Sequence, residues 1–307
     1  MRNRFASGVM VLIGAIALSG VATAQWNSES AAKEETGFTS YVEFDGTTNS
    51  AGQEYVVNSN VGYTFTKHFG MDLGVPFYFA TTSGSSTTRS TSARGIGNPS
   101  LGLRWKFPNQ RLNYGTVLTG SAPLGDKSLG VNTGHATFDW MNHFDHSFNR
   151  VTPFMEAGFS NTTADSRLFV RPYTSYGYNT HFRGGANVDV WKIISVGAAG
   201  YDIAPFGTQT ITPRGPNSAA ANAGVGGNPG TGAGNPGFGG GKNSVPTQTT
   251  TGTASIAKDY GYSAWLDASL SRYMDAEVGY TRSVTFNLNS VSFSLGFNLG
   301  HLAHRSK

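Results

Sequence analysis

The chain of 307 residues contains no cysteine. A disulfide scaffold is therefore excluded, and the fold must be held together by burial of apolar surface and by backbone pairing. Charge is also sparse, at 13% of the residues, and the two signs nearly balance. The sequence pI of about 9.2 thus reflects a small imbalance. The composition gives no support for nucleic-acid binding.

Long apolar runs are absent after residue 24. The early run, Val9 to Leu18, follows Arg2 and Arg4 and precedes the small residues Ala22 to Ala24. It is too short for a membrane-spanning helix, which needs about 20 residues, and its flanks are typical of a secretory signal peptide. We therefore predict that residues 1–24 are a signal peptide cleaved after Ala24. The mean hydropathy of the whole chain is -0.25, and a helical membrane protein is therefore not expected.

Alternation of apolar and small polar residues is the pattern that is present. The clearest example, at Asn289–Gly300, alternates Val291, Phe293, Leu295, Phe297 and Leu299 with Ser292, Ser294, Gly296 and Asn298. A period of two predicts a β-strand with one apolar face. Because a transmembrane barrel has no free edges, this last strand is expected to pair with the first, Gly37–Asp45.

Short and long connections alternate between the predicted strands. Short turns fall near Lys67, Asn109, Asn149, Trp191 and Ser271, and long loops begin near Asp45, Ser83, Gly125, Asn161 and Gly207. A soluble β-sandwich has no reason to collect its short turns at one end, whereas outer-membrane barrels have short periplasmic turns and longer external loops. The sequence therefore predicts an all-β fold, a transmembrane antiparallel up-and-down β-barrel of about 12 strands, within a range of roughly 10 to 14.

Three segments flank or interrupt the predicted barrel of residues 37–300. Residues 25–36 are expected to form a polar periplasmic lead-in, and residues 301–307 a polar C-terminal tail. Residues 213–258, rich in Gly, Asn, Pro and Thr, cannot bury enough apolar surface to offset the entropy of ordering, so we predict a disordered external loop. Pro172–Val190 is interpreted as one unusually long strand. The sequence leaves open which face of Ile193–Ala204 is apolar.

Charged and imidazole side chains recur on the polar faces of the predicted strands. The candidates for lining the lumen are Arg104, Lys106, Asp139, His143, Asp145, Glu156, His181 and Arg183. Three of them, Asp139, His143 and Asp145, share one strand face and could ligate a metal or act in acid–base catalysis. We favour a simpler interpretation, a hydrated lumen lined with charges of both signs, and predict no cofactor and no bound metal. The mixture of signs gives no reason to predict strong anion or cation selectivity.

The stretch GIGNPSLGLRWKF at Gly95–Phe107, followed by SAPLGD at Ser121–Asp126, resembles the phenol-degradation (MetA-pathway) outer-membrane proteins. The resemblance implies a porin-like uptake barrel of a Gram-negative-type envelope, and not an enzyme. We therefore predict a passive channel or uptake protein for small solutes, hydrophobic ones included. Its expected partners are outer-membrane lipid, the barrel-assembly machinery and the solute, with no nucleic acid. Two alternatives stay open: a barrel enzyme acting on lipid, and a structural or surface-display barrel with a closed lumen.

Overall fold

The computed structural model describes residues 36–82, 91–109, 111–125, 127–132, 134–215, 245, 248–271 and 273–299. The predicted signal peptide, the lead-in up to residue 35, the polar tail and residues 216–244 of the predicted loop lie outside these described residues. No helix within the described ranges is long and apolar enough to cross a membrane.

The described residues form β-strands joined by turns and loops. The strands are β1 Gly37–Asn49, β2 Gly52–Thr66, β3 Phe69–Thr82, β4 Thr91–Ile96, β5 Ser100–Phe107, β6 Asn113–Ser121, β7 Thr137–Asp145, β8 Val151–Ser160, β9 Tyr173–Tyr176, β10 Asn179–Trp191, β11 Ile194–Pro205, β12 Gln209–Pro213, β13 Thr250–Gly252, β14 Asp259–Ser271, β15 Met274–Ser283 and β16 Leu288–Asn298. Short 3-10 turns occur at Lys127–Leu129 and Ala254–Ile256.

The main sheet closes on itself as an antiparallel barrel. Its order is β2-β1-β16-β15-β14-β11-β10-β8-β7-β6-β5-β3, and pairing between β2 and β3 completes the ring. β4 and β5 pair with successive parts of β3 and together act as one strand, interrupted at residues 97–99. Pro99 lies in this interruption and has no N–H to donate to the ladder. The wall therefore has 12 strands, which confirms the predicted fold class.

The outer surface of the barrel is apolar and its inner surface is polar. In β16, Val291 is 53% exposed on the outside, whereas Ser290, Ser292 and Ser294 are buried inside. β16 pairs with β1 along residues 41–48, so the first and last strands meet as the alternation predicts. The structure also defines the facing of β11, which the sequence leaves open, because Val196 is exposed and Ile203 is buried.

Aromatic side chains form two belts on the outer surface. Near the short turns, the rings of Phe107 and Tyr114 lie 5.8 Å apart and those of Tyr114 and Phe144 lie 5.0 Å apart. Near the long loops, the rings of Phe138 and Phe159 lie 5.5 Å apart, and Tyr178 stacks on Phe159 at 5.8 Å. Such belts are typical of the two membrane–water interfaces.

The single strand predicted at Pro172–Val190 is wrong, because the chain divides at Gly177. Gly177 has a φ of 146°, in a region of backbone conformation that is nearly restricted to glycine. β10 continues the barrel wall, whereas β9 leaves the wall and pairs with β12.

A small sheet of β9, β12 and β13 covers the long-loop end of the barrel. We call residues 172–178, 206–215 and 248–258 the cap. An apolar cluster joins the cap to the rim of the barrel, and its buried members are Phe169, Tyr173, Ile211, Ala257, Phe286 and Leu288. Phe286 and Leu288 belong to the β15–β16 hairpin, so burial of apolar surface holds the cap on the wall.

The cap corrects part of the disorder predicted for residues 213–258. Thr250–Gly252 forms β13 and pairs with β12, and a 3-10 turn follows at Ala254–Ile256. The prediction rested on local composition, whereas the order at this end of the loop comes from backbone partners and from burial of Ala257. Residues 216–244 lie outside the described part of the chain, and the disorder expected for them stays a prediction.

Candidate functional site: the barrel lumen

The lumen contains a cavity of about 230 Å³. Inward side chains of the strands line one part of it, among them Phe154, Glu156 and Trp265. A loop that follows β8 lines another part, through residues 162–169. A cavity with charged, hydroxyl and aromatic side chains on its wall has both hydrogen-bonding groups and apolar surface for a small molecule.

Residues 161–171 run from the end of β8 into the lumen, and we call them the inserted segment. Its backbone is held by the wall, since the N–H of Val170 donates to Thr47 Oγ1 at 2.9 Å and Thr281 Oγ1 donates to the carbonyl of Leu168 at 3.1 Å. Val170 is also buried against Val56 and Tyr78. The sequence predicted an external loop here, and three consecutive apolar residues, 168–170, are the signal that could have indicated burial.

Asp165 fixes the middle of the inserted segment to the cap. Its Oδ2 accepts from Arg214 Nη2 at 2.6 Å and from the Tyr78 hydroxyl at 3.1 Å, and its Oδ1 accepts from the N–H of Arg171 at 2.9 Å. Burial by itself lowers the pKa of Arg214, but the charge and hydrogen bond of Asp165, together with the neighbouring Tyr78 and Glu54, hold that pKa above its usual range. The guanidinium of Arg214 therefore stays charged.

Arg167 projects from the inserted segment to the opposite wall. It forms ion pairs with Glu43 of β1 and Asp275 of β15, and its Nη1 lies 3.7 Å from Glu277 Oε2. Its Nε also donates to Ser294 Oγ of β16 at 3.1 Å. The arginine side chain is 10% exposed. One loop residue thus connects three adjacent strands across the lumen.

The structure brings together four of the predicted lumen residues, His143, Asp145, Glu156 and Arg183. His143 lies between two carboxylates, with Nε2 3.1 Å from Asp145 Oδ2 and Nδ1 3.2 Å from Glu156 Oε1. Arg183 approaches Glu156 Oε2 at 3.5 Å. Its guanidinium also lies 5.0 Å from the ring centre of Trp265. This network connects β7, β8, β10 and β14 along one side of the cavity.

The other predicted lumen residues lie in separate pairs. Asp139 accepts from His181 Nε2 at 2.9 Å, which separates it from the His143 group although the sequence had placed them together. Arg104 forms an ion pair with Asp72 at 2.5 Å, and Lys106 shares its inward strand face by the alternation of β5. All eight predicted residues therefore occupy inward positions of the wall.

The geometry around His143 does not favour a nucleophile–base pair. Both of its ring nitrogens face carboxylates, so neither is directed at a serine or threonine hydroxyl. Within the described part of the chain, no group of three or more His, Cys, Asp or Glu side chains is arranged to hold a metal ion. The arrangement is that of a hydrogen-bonded wall.

Charge is distributed unevenly around the lumen. The inward faces of the six adjacent strands β14, β15, β16, β1, β2 and β3, which we call the acidic half, carry the eight carboxylates of Asp259, Asp267, Asp275, Glu277, Glu43, Asp45, Glu54 and Asp72. The one arginine of these strands, Arg282, lies on the outer face, and they contain no lysine. The inward faces of the remaining six strands carry both acidic and basic side chains. Counting charges along the sequence missed this separation, because it depends on which strands are neighbours in the ring.

A closed 12-strand wall, an apolar outer surface and a polar lumen define a transmembrane β-barrel of the outer-membrane type. No protein-family model matches the chain, and no curated protein matches its sequence. Among solved structures, an outer membrane channel from Pseudomonas putida F1 is similar, with a TM-score of 0.52 and 9% identity over 87% of this chain and 97% of the channel. At this identity the likeness shows the shared fold.

Two further solved structures superpose less closely. The KdgM porin has a TM-score of 0.43 and 6% identity over 84% of this chain and 98% of its own. The transport unit of the autotransporter AIDA-I from Escherichia coli has a TM-score of 0.44 and 9% identity over 87% of this chain and 91% of its own. The fold assignment rests on the closure of this barrel and on the Pseudomonas putida channel.

Proposed function

We propose that this protein is an outer-membrane channel or uptake protein for small solutes, hydrophobic ones included. The observation that carries the proposal is the cavity of about 230 Å³ inside the closed barrel, with Phe154, Trp265 and Ile203 beside its polar groups. An apolar cavity of about 150 Å³ can hold benzene, so this one has room for a solute with a single aromatic ring. Two likenesses support the proposal: the similar Pseudomonas putida protein is an outer membrane channel, and the motif at Gly95–Asp126 resembles the phenol-degradation outer-membrane proteins.

The remaining parts of the proposal follow from the class of fold. Residues 1–24 direct export and are cleaved after Ala24, the barrel-assembly machinery inserts the chain, and the apolar outer surface contacts outer-membrane lipid. The lumen wall acts as a lining for the solute and not as a catalytic centre. The inserted segment crosses the lumen, so the solute passes when this segment moves aside.

A closed, structural barrel is the second candidate, because the cap covers the long-loop end of the barrel and the inserted segment occupies the lumen. Planar-bilayer recording of the refolded protein separates the two candidates. A channel gives discrete conductance steps, and these become larger when Arg167→Ala releases the inserted segment from the wall. The matched control is Arg150→Ala, which removes an exposed arginine at a short turn and is expected to leave conductance unchanged. Silence of both the wild type and Arg167→Ala, with correctly folded barrels, would favour the closed barrel.

A further inference from the structure

The acidic half needs positive charge from outside its own strands. Asp267 and Glu277 are directly opposite each other in the β14–β15 pair, and Glu43 and Asp45 lie on the same face of β1. Like charges in such positions repel each other and destabilise the sheet. No lysine or arginine occupies an inward position of the six described strands of the acidic half. The cations beside these carboxylates therefore come from elsewhere in the chain: Arg104 of the neighbouring strand β5 pairs with Asp72, and Arg167 of the inserted segment pairs with Glu43 and Asp275.

Arg167 shows what kind of group this surface accepts. Its guanidinium is buried between Glu43, Asp275 and Glu277, and its Nε donates to Ser294. The contacts come from β1, β15 and β16, whereas Arg167 belongs to a loop between β8 and β9. A planar cation that donates several hydrogen bonds thus occupies the acidic half without being part of it.

The carboxylate of Glu277 can accept a further hydrogen bond. It is 7% exposed and lies on the cavity wall beside Trp265. Its Oε1 is buried and has no hydrogen-bond partner among the described residues, and its Oε2 is 3.7 Å from Arg167, beyond hydrogen-bond distance. A buried carboxylate oxygen of this kind is costly unless a donor satisfies it.

We propose that the acidic half recognises the cationic group of the solute, and that Arg167 occupies this position as a tethered substitute until the solute displaces the inserted segment. The inference rests on the proposed function and names the solute class, a small organic cation. A guanidinium, amidinium or primary ammonium group pairs with Glu277 and its neighbours. The apolar part of the solute packs against Trp265 and Phe154 of the barrel wall.

Equilibrium binding to the folded barrel in detergent tests the inference. The probe is benzamidinium, which combines a planar cation with one aromatic ring, and the control is benzamide, a neutral molecule of nearly the same shape. Benzamidinium should bind the wild type more tightly than benzamide does. Arg167→Ala should increase its affinity about tenfold or more, and Glu277→Gln should decrease it by a similar factor, the range that one charge-assisted hydrogen bond contributes.

Arg167→Lys checks that a change in affinity comes from charge and not from loss of structure. It keeps a cation on the inserted segment and should bind benzamidinium nearly as the wild type does, while Arg150→Ala should have no effect. Equal binding of benzamide and benzamidinium, or no gain of affinity in a correctly folded Arg167→Ala barrel, would overturn the inference. If bilayers are silent but benzamidinium binding follows the expected order, the proposed channel fails and the cation site stands. If the barrels conduct but bind benzamidinium and benzamide equally, the proposed channel stands and the cation site fails.

Discussion

The position of Val278 provides a direct test of which surface contacts lipid. Val278 lies on the outer face of β15, is 56% exposed, and is paired with Leu266 and Phe293 on the neighbouring strands. It is four residues from Met274 and five from Ser283 along β15. At about 3.3 Å per residue, roughly 13 to 17 Å of strand extends on either side of it. Val278 therefore lies close to the middle of the apolar band.

Val278→Arg should lower the free energy of unfolding by about 2 to 4 kcal/mol, because an arginine at the bilayer midplane must be moved out of water into hydrocarbon. Tyr260→Arg is the matched control on the same outer face. Tyr260 is 46% exposed near the long-loop end, and it pairs with Asp202 of β11, which would face the new arginine. Near the interface the cost falls to about 0 to 1 kcal/mol.

The assay is reversible guanidinium unfolding of the barrel in phospholipid vesicles, followed by tryptophan fluorescence and by heat-modifiable gel mobility. The two variants should differ by roughly 2 to 3 kcal/mol in unfolding free energy. Equal destabilisation by the two arginines would refute the reasoning, because it would mean that Val278 and Tyr260 lie at similar depth or that the outer surface is not covered by lipid.

Three further predictions concern the lumen, the break between β9 and β10, and the cap. His143→Ala should lower the free energy of unfolding by about 1 to 3 kcal/mol, because Asp145 and Glu156 each lose one hydrogen-bond partner. Elemental analysis should find metal at background in both the wild type and the variant. One equivalent of zinc in the wild type that is lost in the variant would instead favour a metal site. Gly177→Ala should destabilise the cap by about 1 to 3 kcal/mol, since a φ of 146° is strained for alanine; a thermal melt identical to that of the wild type would contradict the assigned conformation. Deleting residues 217–244 should leave barrel assembly unchanged, as measured by heat-modifiable gel mobility. A longer deletion, from residue 217 through Thr251, removes most of β13 from its pairing with β12 and should make the cap sensitive to protease. Equal protease sensitivity of the two deletion variants would show that β13 does not stabilise the cap.

The sequence was most informative in strands whose successive residues alternate between two distinct environments. In β16 and β1 the alternation of apolar and polar residues predicted the facing and the pairing of the strands, because one face meets lipid and the other meets the lumen. The eight lumen residues were predicted from the same alternation. The difference in length between connections was visible in the sequence, and it indicated the number of strands and the end at which the short turns lie.

The loops show where reasoning from the sequence fails. Leu168, Phe169 and Val170 interrupt a polar loop, but nothing in their order says that the loop enters the barrel. The break at Gly177 was missed because residues on both sides of it have strand-like composition. Thr250–Gly252 was predicted to be disordered from composition, yet it pairs with β12, which is separated from it by the long loop itself.

The sequence by itself thus determined the class of fold and the facing of strands with a clear period of two, such as β1 and β16, although it left the facing of β11 open. The alternation of short and long connections was also visible in it. The tertiary structure alone decided which charges meet. Glu43, Asp275 and Glu277 become one surface because closure of the barrel brings β1 beside β16 and β15, and Arg167 reaches them because its loop turns inward. Contacts between residues more than 100 positions apart depend on ring closure and loop direction, neither of which leaves a periodic pattern in the sequence.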